Sequence, residues 1–209
     1  MVKNRLIIGA ILLLAVLAGI SFSQSYSASK AVKALRYPSP KAIPEFSLTR
    51  HDNSAFDNQA LEGHWSFIFL GYTHCPDICP TTMARLSGVY QKLQDQVSEP
   101  VQVVLVSADP KRDTPERLAQ YVQYFRTEFV GATAEHKVLF PFTRSLGLVY
   151  SMGQDTSQAD YAVDHSASLV LVGPDAKVHA VFKPEFGQGK LPLVNMNQLV
   201  DDFKILSQS

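Results

Sequence analysis

The stretch Trp65-Ser66-Phe67-Ile68-Phe69-Leu70-Gly71-Tyr72-Thr73-His74-Cys75-Pro76-Asp77-Ile78-Cys79-Pro80-Thr81-Thr82 decides the architecture. Its first six residues are an unbroken, aromatic-rich apolar run of strand length, the pattern of a strand covered on both faces. Its last three open a helix in which Met83, Leu86, Tyr90 and Leu93 share one face, and Pro80 suits a first helical turn, where its missing N–H costs nothing. Between strand and helix stand the chain's two cysteines, Cys75 and Cys79. Their spacer is one residue longer than the Cys-x-x-Cys redox turn, yet short enough to aim both sulfurs at one soft ion. A loop entering a helix N-terminus meets unpaired N–H groups and the helix dipole, which favour thiolates. Such a pair can form a disulfide or bind a metal, and the spacer decides only weakly between these uses.

Outward from this loop, Val101 to Val106 reads as a second buried strand, and Asp113-Thr114-Pro115-Glu116 reads as a helix start with Asp113 as N-cap. Leu118, Tyr121, Val122 and Phe125 follow at helical spacing. A further helix, broken by Pro141, is expected over Glu135 to Tyr150, then an exposed polar loop from Ser151 to Asp160. Ala167 to Val172 and Lys177 to Phe182 form a predicted antiparallel hairpin, and a helix from Leu193 to Leu206 closes the chain. Strand, helix, strand, helix, hairpin, helix is the order of an α/β thioredoxin-like fold.

The 209 residues carry 19 basic and 19 acidic side chains, so the charge balance supplies no basic patch and no motive for nucleic-acid binding. Lys3 and Arg5 precede a charge-free run from Leu6 to Phe22, long enough for about 25 Å of helix. The expected layout is a cytoplasmic flank (1–5), a transmembrane anchor or signal segment (6–22), a linker (23–42) and the folded domain (43–207). The predicted location is the inner (cytoplasmic) membrane, single-pass, with the C-terminal domain on the periplasmic side. In an exported domain a disulfide between residues this close is a poor staple, because closing so small a loop removes little chain entropy.

His165, in Tyr161-Ala162-Val163-Asp164-His165-Ser166, stands just before a predicted strand. In a thioredoxin-like sheet that position lies beside the cysteine loop, so a neutral imidazole there completes a Cys-Cys-His set. Two thiolates and an imidazole suit Cu(I) and tolerate Cu(II); zinc accepts them but usually takes a fourth ligand.

Three blocks now resemble one family. Gly71 to Thr82 is similar to the signature loop of the Sco/SenC proteins, Ser107-Ala108-Asp109-Pro110-Lys111-Arg112-Asp113-Thr114-Pro115-Glu116 to their second block, and Val163-Asp164-His165-Ser166 to their third. Order and spacing agree from about Ile43 to Leu206; Gly131-Ala132-Thr133 departs from a longer stretch in many members. The resemblance implies a membrane-tethered copper chaperone that helps assemble the CuA centre on subunit II of cytochrome c oxidase, taking its metal from another copper carrier. It places the copper ligands on Cys75, Cys79 and His165. The alternative is a thiol–disulfide reductase that uses Cys75 and Cys79 to keep the oxidase cysteines reduced.

Around these residues, Asp77 either tunes the metal's charge or caps the loop. Asp164 could orient the His165 ring, although adjacent strand residues point to opposite faces. Tyr161 either packs near the site or joins the core. Asp109, Arg112 and Asp113 could form an ion-pair network under the loop. His51, His64, His74, His136 and His179 are scattered, and none of the methionines shows a paired copper-binding spacing.

Overall fold

The computed structural model describes residues 32–153, 156 and 160–208. The unit from Val32 onward is built on an eight-stranded mixed sheet. Its strands are β1 (Leu35–Ala42), β2 (Ser47–Arg50), β3 (Ala55–Asp57), β4 (Trp65–Gly71), β5 (Val101–Ser107), β6 (Val130–Thr133), β9 (Leu169–Val172) and β10 (Lys177–Phe182), in spatial order β1-β10-β9-β4-β5-β6-β2-β3. A separate two-stranded ribbon pairs β7 (Tyr150–Met152) with β8 (Val163–His165). The helices are α1 (Ile78–Gln94), α2 (Pro115–Phe125), α3 (His136–Ser145) and α4 (Met196–Leu206).

All seven residues of β4 and all seven of β5 are buried, as their apolar runs require of central strands. They run parallel in register from Trp65↔Val101 to Gly71↔Ser107, joined by α1 as a crossover. On the other side β9 runs antiparallel to β4, with Phe69 opposite Leu169. The carboxyl end of β4 and the start of β9 therefore coincide, which brings the cysteine loop and the approach to β9 to one end of the sheet. The inward faces of the helices match their apolar spacing: Met83, Leu86, Tyr90 and Leu93 on α1, Leu118 and Val122 on α2, and Met196, Leu199, Phe203 and Leu206 on α4.

Several expectations are corrected. The linker assigned to 23–42 ends earlier, because residues 35–42 form edge strand β1 against β10, with a register shift between Arg36 and Lys41. Pro38 and Pro40 are tolerated on an edge strand, where one side needs no donors. Asp202, buried on the apolar face of α4, holds this segment by accepting from Lys33 N (3.0 Å) and Ala34 N (2.8 Å). The helix predicted to reach Tyr150 ends at Ser145 and contains Pro141; Tyr150 instead opens β7, so part of the expected polar loop is ribbon. Residues 154, 155 and 157–159 of that loop, like the membrane segment at 6–22, lie outside the described residues. Among the described residues no helix is long and apolar enough to cross a membrane.

Candidate metal centre

Cys75 ends the turn after β4, its N–H donating to Tyr72 O (3.3 Å), and Cys79 is the second residue of α1. Both thiols are free; Cys79 is fully buried and Cys75 is 7% exposed. Cys79 N donates to Cys75 Sγ at 3.4 Å. Gly71 permits the packing, because a Cβ there would stand 2.8 Å from Cys79 Sγ. His165 ends β8, and its Nε2 lies 3.3 Å from Cys79 Sγ. The ligand atoms of Cys75, Cys79 and His165 all fall within 4.8 Å of one another.

The ring's tautomer follows from its other nitrogen. Nδ1 lies 3.1 Å from Ser166 O, and a carbonyl can only accept, so Nδ1 carries the proton and Nε2 presents its lone pair to the sulfurs. The rings of Phe69 and Tyr72 meet His165 edge-on, with centroids 5.9 and 6.0 Å away. Ser166 fixes the ribbon's end: its N–H donates to Val149 O and its Oγ accepts from Val149 N.

The two thiols are electrostatically unequal. The hydrogen bond from Cys79, against the cost of burial and with help from the N–H groups of Cys79 and Asp77, holds Cys75 down to about 4. The same hydrogen bond, burial and the charge of Cys75 push Cys79 far above the ordinary thiol range. At neutral pH the pair is therefore one thiolate and one thiol, and the single proton on Cys79 has two acceptors within reach, Cys75 Sγ and His165 Nε2.

Beneath the loop, fully buried Asp113 accepts from Thr73 N (2.9 Å), Thr73 Oγ1 (2.6 Å) and Ser107 Oγ (2.5 Å). It is not the cap of α2; Thr114 caps that helix by accepting from Arg117 N, which leaves Asp113 free to turn inward to three donors. Fully buried Asp109 pairs with Arg112 Nε and accepts from Tyr161 Oη. His74, Asp109 and Asp113 also cluster within 4.8 Å, but both carboxylates are already engaged by these donors.

The remaining expected residues fall as follows. The Asp77 carboxylate accepts from Ile78 N (2.6 Å) as the N-cap of α1, so it is the backbone N–H of Asp77, not its charge, that faces the sulfurs. Asp164 is exposed and stands opposite Ser151 in the ribbon; the orienting role expected of it belongs to Ser166 O. Tyr161 does not reach the sulfurs directly. Its ring lies under the Arg112 guanidinium (3.5 Å) and its carbonyl accepts from Arg112 Nη2 (2.8 Å). Tyr72 is a contributor the sequence reading passed over: its N–H serves Cys79 and its hydroxyl meets the Val163 N–H. An aromatic directly after a buried strand and three residues before a cysteine was the available signal.

A thioredoxin-like mixed sheet with a dithiol at a strand-to-helix turn, faced by an imidazole from a separate ribbon, defines the class. The sequence profile of the SCO1/SenC family matches residues 36–192. A Stutzerimonas stutzeri protein named for copper binding is 37% identical over 168 residues, covering 78% of this chain and 82% of its own length. The human mitochondrial SCO1 homolog is 32% identical over 179 residues, covering 84% of this chain and 58% of its own. The crystal structure of Arabidopsis thaliana ScoI with copper bound superposes with a TM-score of 0.67 at 28% identity, covering 79% of this chain and 98% of that one. This chain belongs to the SCO1/SenC family.

Proposed function

We propose that this protein is a membrane-tethered copper chaperone that binds one copper ion through Cys75, Cys79 and His165 and delivers it during assembly of the CuA centre on cytochrome c oxidase subunit II. The observation that carries the reading is the convergence of two sulfurs and an unprotonated Nε2 within 4.8 Å. That donor set is soft to borderline and fits copper better than hard cations. A copper-bound family structure and a relative named for copper binding support the same cargo.

In this reading Cys75 offers a thiolate at neutral pH, and copper displaces the one remaining proton, from Cys79. The bound pair contributes two negative charges, so the site carries −1 with Cu(I) and 0 with Cu(II). A change of oxidation state therefore changes affinity and aids release, and an acceptor's own thiolates replace the three donors one at a time. The apolar run at 6–22 tethers the domain on the periplasmic side of the inner membrane, which keeps it near a membrane-bound oxidase.

A second reading is favoured by the inequality of the thiols. A low-pKa Cys75 beside a protonated, fully buried Cys79 is the arrangement of an attacking thiolate and its resolving partner. Reduction of an oxidase disulfide would proceed by attack of Cys75, a mixed disulfide, and closure by Cys79, releasing a reduced dithiol. Copper titration of the reduced protein beside disulfide exchange with a subunit II domain separates the two. One copper per chain, lost tenfold or more in affinity in His165→Ala, supports the chaperone. Copper binding indifferent to His165, with rapid exchange, supports the reductase.

A further inference from the structure

The ribbon that carries His165 is not laddered into the main sheet, so hydrogen bonds of the sheet do not set the distance from its imidazole to the sulfurs. Something else must hold it. We propose that Arg112 is a positioning residue for copper binding, acting through the ribbon to fix where His165 stands over Cys75 and Cys79; this rests on the reading that those three residues take copper.

The guanidinium touches both halves of the site. On the ribbon side, Nη2 donates to Tyr161 O (2.8 Å), four residues before His165, and the guanidinium carbon lies 3.5 Å from the centre of the Tyr161 ring. On the cysteine side it stands 5.6 Å from the Tyr72 ring, and Tyr72 meets His165 edge-on and gives its N–H to Cys79. Asp109, fully buried, fixes the fork by taking Arg112 Nε and the Tyr161 hydroxyl, and it is anchored through its own N–H to Ser107 Oγ (3.0 Å). Ser107 in turn bonds Asp113, which holds Thr73 at the root of the cysteine loop. One continuous set of contacts thus runs from Thr73 to Tyr161, and Arg112 is its only member that meets aromatic rings on both sides of the site among these contacts. A planar guanidinium lays its face on the Tyr161 ring while its edge donates to Asp109 and Tyr161 O; a lysine ammonium is a point charge without that fork.

Were Arg112 simply an ion pair stiffening the β5–α2 connection, its loss would weaken copper binding whether or not His165 were present. A double-mutant cycle distinguishes the cases. Cu(I) affinity is measured by competition with bathocuproine for the reduced full-length protein in detergent, as wild type, Arg112→Gln, His165→Ala and the double variant. Loss of a group that orients a ligand lowers metal affinity about tenfold or more. The expected result is such a loss for Arg112→Gln in the wild-type background, with a shifted sulfur-to-Cu(II) absorption band, and less than about a twofold further loss when His165 is already alanine. Equal losses in both backgrounds, or no loss in the first, overturn the inference. If His165→Ala alone leaves affinity unchanged, the ligand assignment fails first and the inference with it. Should Arg112→Gln not fold, Arg112→Lys enters the same cycle, since it keeps a charge opposite Asp109 and removes the planar fork.

Discussion

Replacing Gly71 by alanine adds one methyl group where the structure has no room for it. The new carbon would lie 2.8 Å from Cys79 Sγ, 3.1 Å from Leu105 Cδ1 and 3.2 Å from Phe69 Cε1. Non-bonded carbons settle at about 3.5–4.0 Å, so the sulfur contact alone is short by at least about 0.7 Å. Leu105 and Phe69 are fully buried in the sheet and close two of the directions in which the strand could yield. The sulfur, at the amino end of α1, is the atom that moves. Overpacking of this kind costs about 1–3 kcal/mol of stability. Displacing one donor from a three-donor site is expected to cost at least about 1.4 kcal/mol of copper binding, a factor of ten. Urea unfolding of the metal-free protein and chelator competition for Cu(I) read the two effects separately. An alanine variant that matches wild type in affinity and in its sulfur-to-copper absorption would refute the claim that Gly71 sets the position of Cys79.

Other substitutions test neighbouring parts of the account. In the reduced, metal-free protein, alkylation of Cys75 by iodoacetamide should titrate near pH 4, and Cys79→Ala should move that midpoint upward, because it removes the hydrogen-bond donor that is the largest cause of the shift. A thiol held below its unfolded value stabilises the fold above that value and loses its contribution as pH falls toward 4, whereas the raised Cys79 weakens the fold as pH climbs past the ordinary thiol range. Unfolding free energies of Cys75→Ser should therefore gain less between pH 4 and 8 than those of the parent. Asp113→Asn sets an amide against three donors from Thr73 and Ser107 and should cost about 2–3 kcal/mol in urea unfolding. Asp202→Ala strands the N–H groups of Lys33 and Ala34; hydrogen exchange should show β1 losing protection before β4.

What could be read in the chain and what could not divide along physical lines. Strands β4 and β5 announce themselves because a continuous apolar run flanked by turn residues has few other solutions. The convergence of His165 on the cysteines follows from topology, once the hairpin is placed antiparallel beside β4. Edge strand β1 was hidden because Pro38, Pro40 and a run of exposed residues resemble a tether, and it is held by a distant Asp202. The ribbon was hidden for a similar reason: β7 and β8 are three residues each, too short for any periodicity to register. Asp113 was misread because a local rule, an acidic residue ahead of a helix, competed with a burial that only the fold reveals. A donor and an acceptor forty residues apart leave no trace in local pattern, which is why the hold of Asp113 on Thr73 emerges only from the fold.

Copper K-edge X-ray absorption on the Cu(I)-loaded protein, wild type beside His165→Ala, addresses the metal centre itself. Two sulfur donors and one imidazole nitrogen in the wild type, with the nitrogen contribution vanishing in the variant, are the predicted result. A sulfur-only shell identical in both proteins would contradict it.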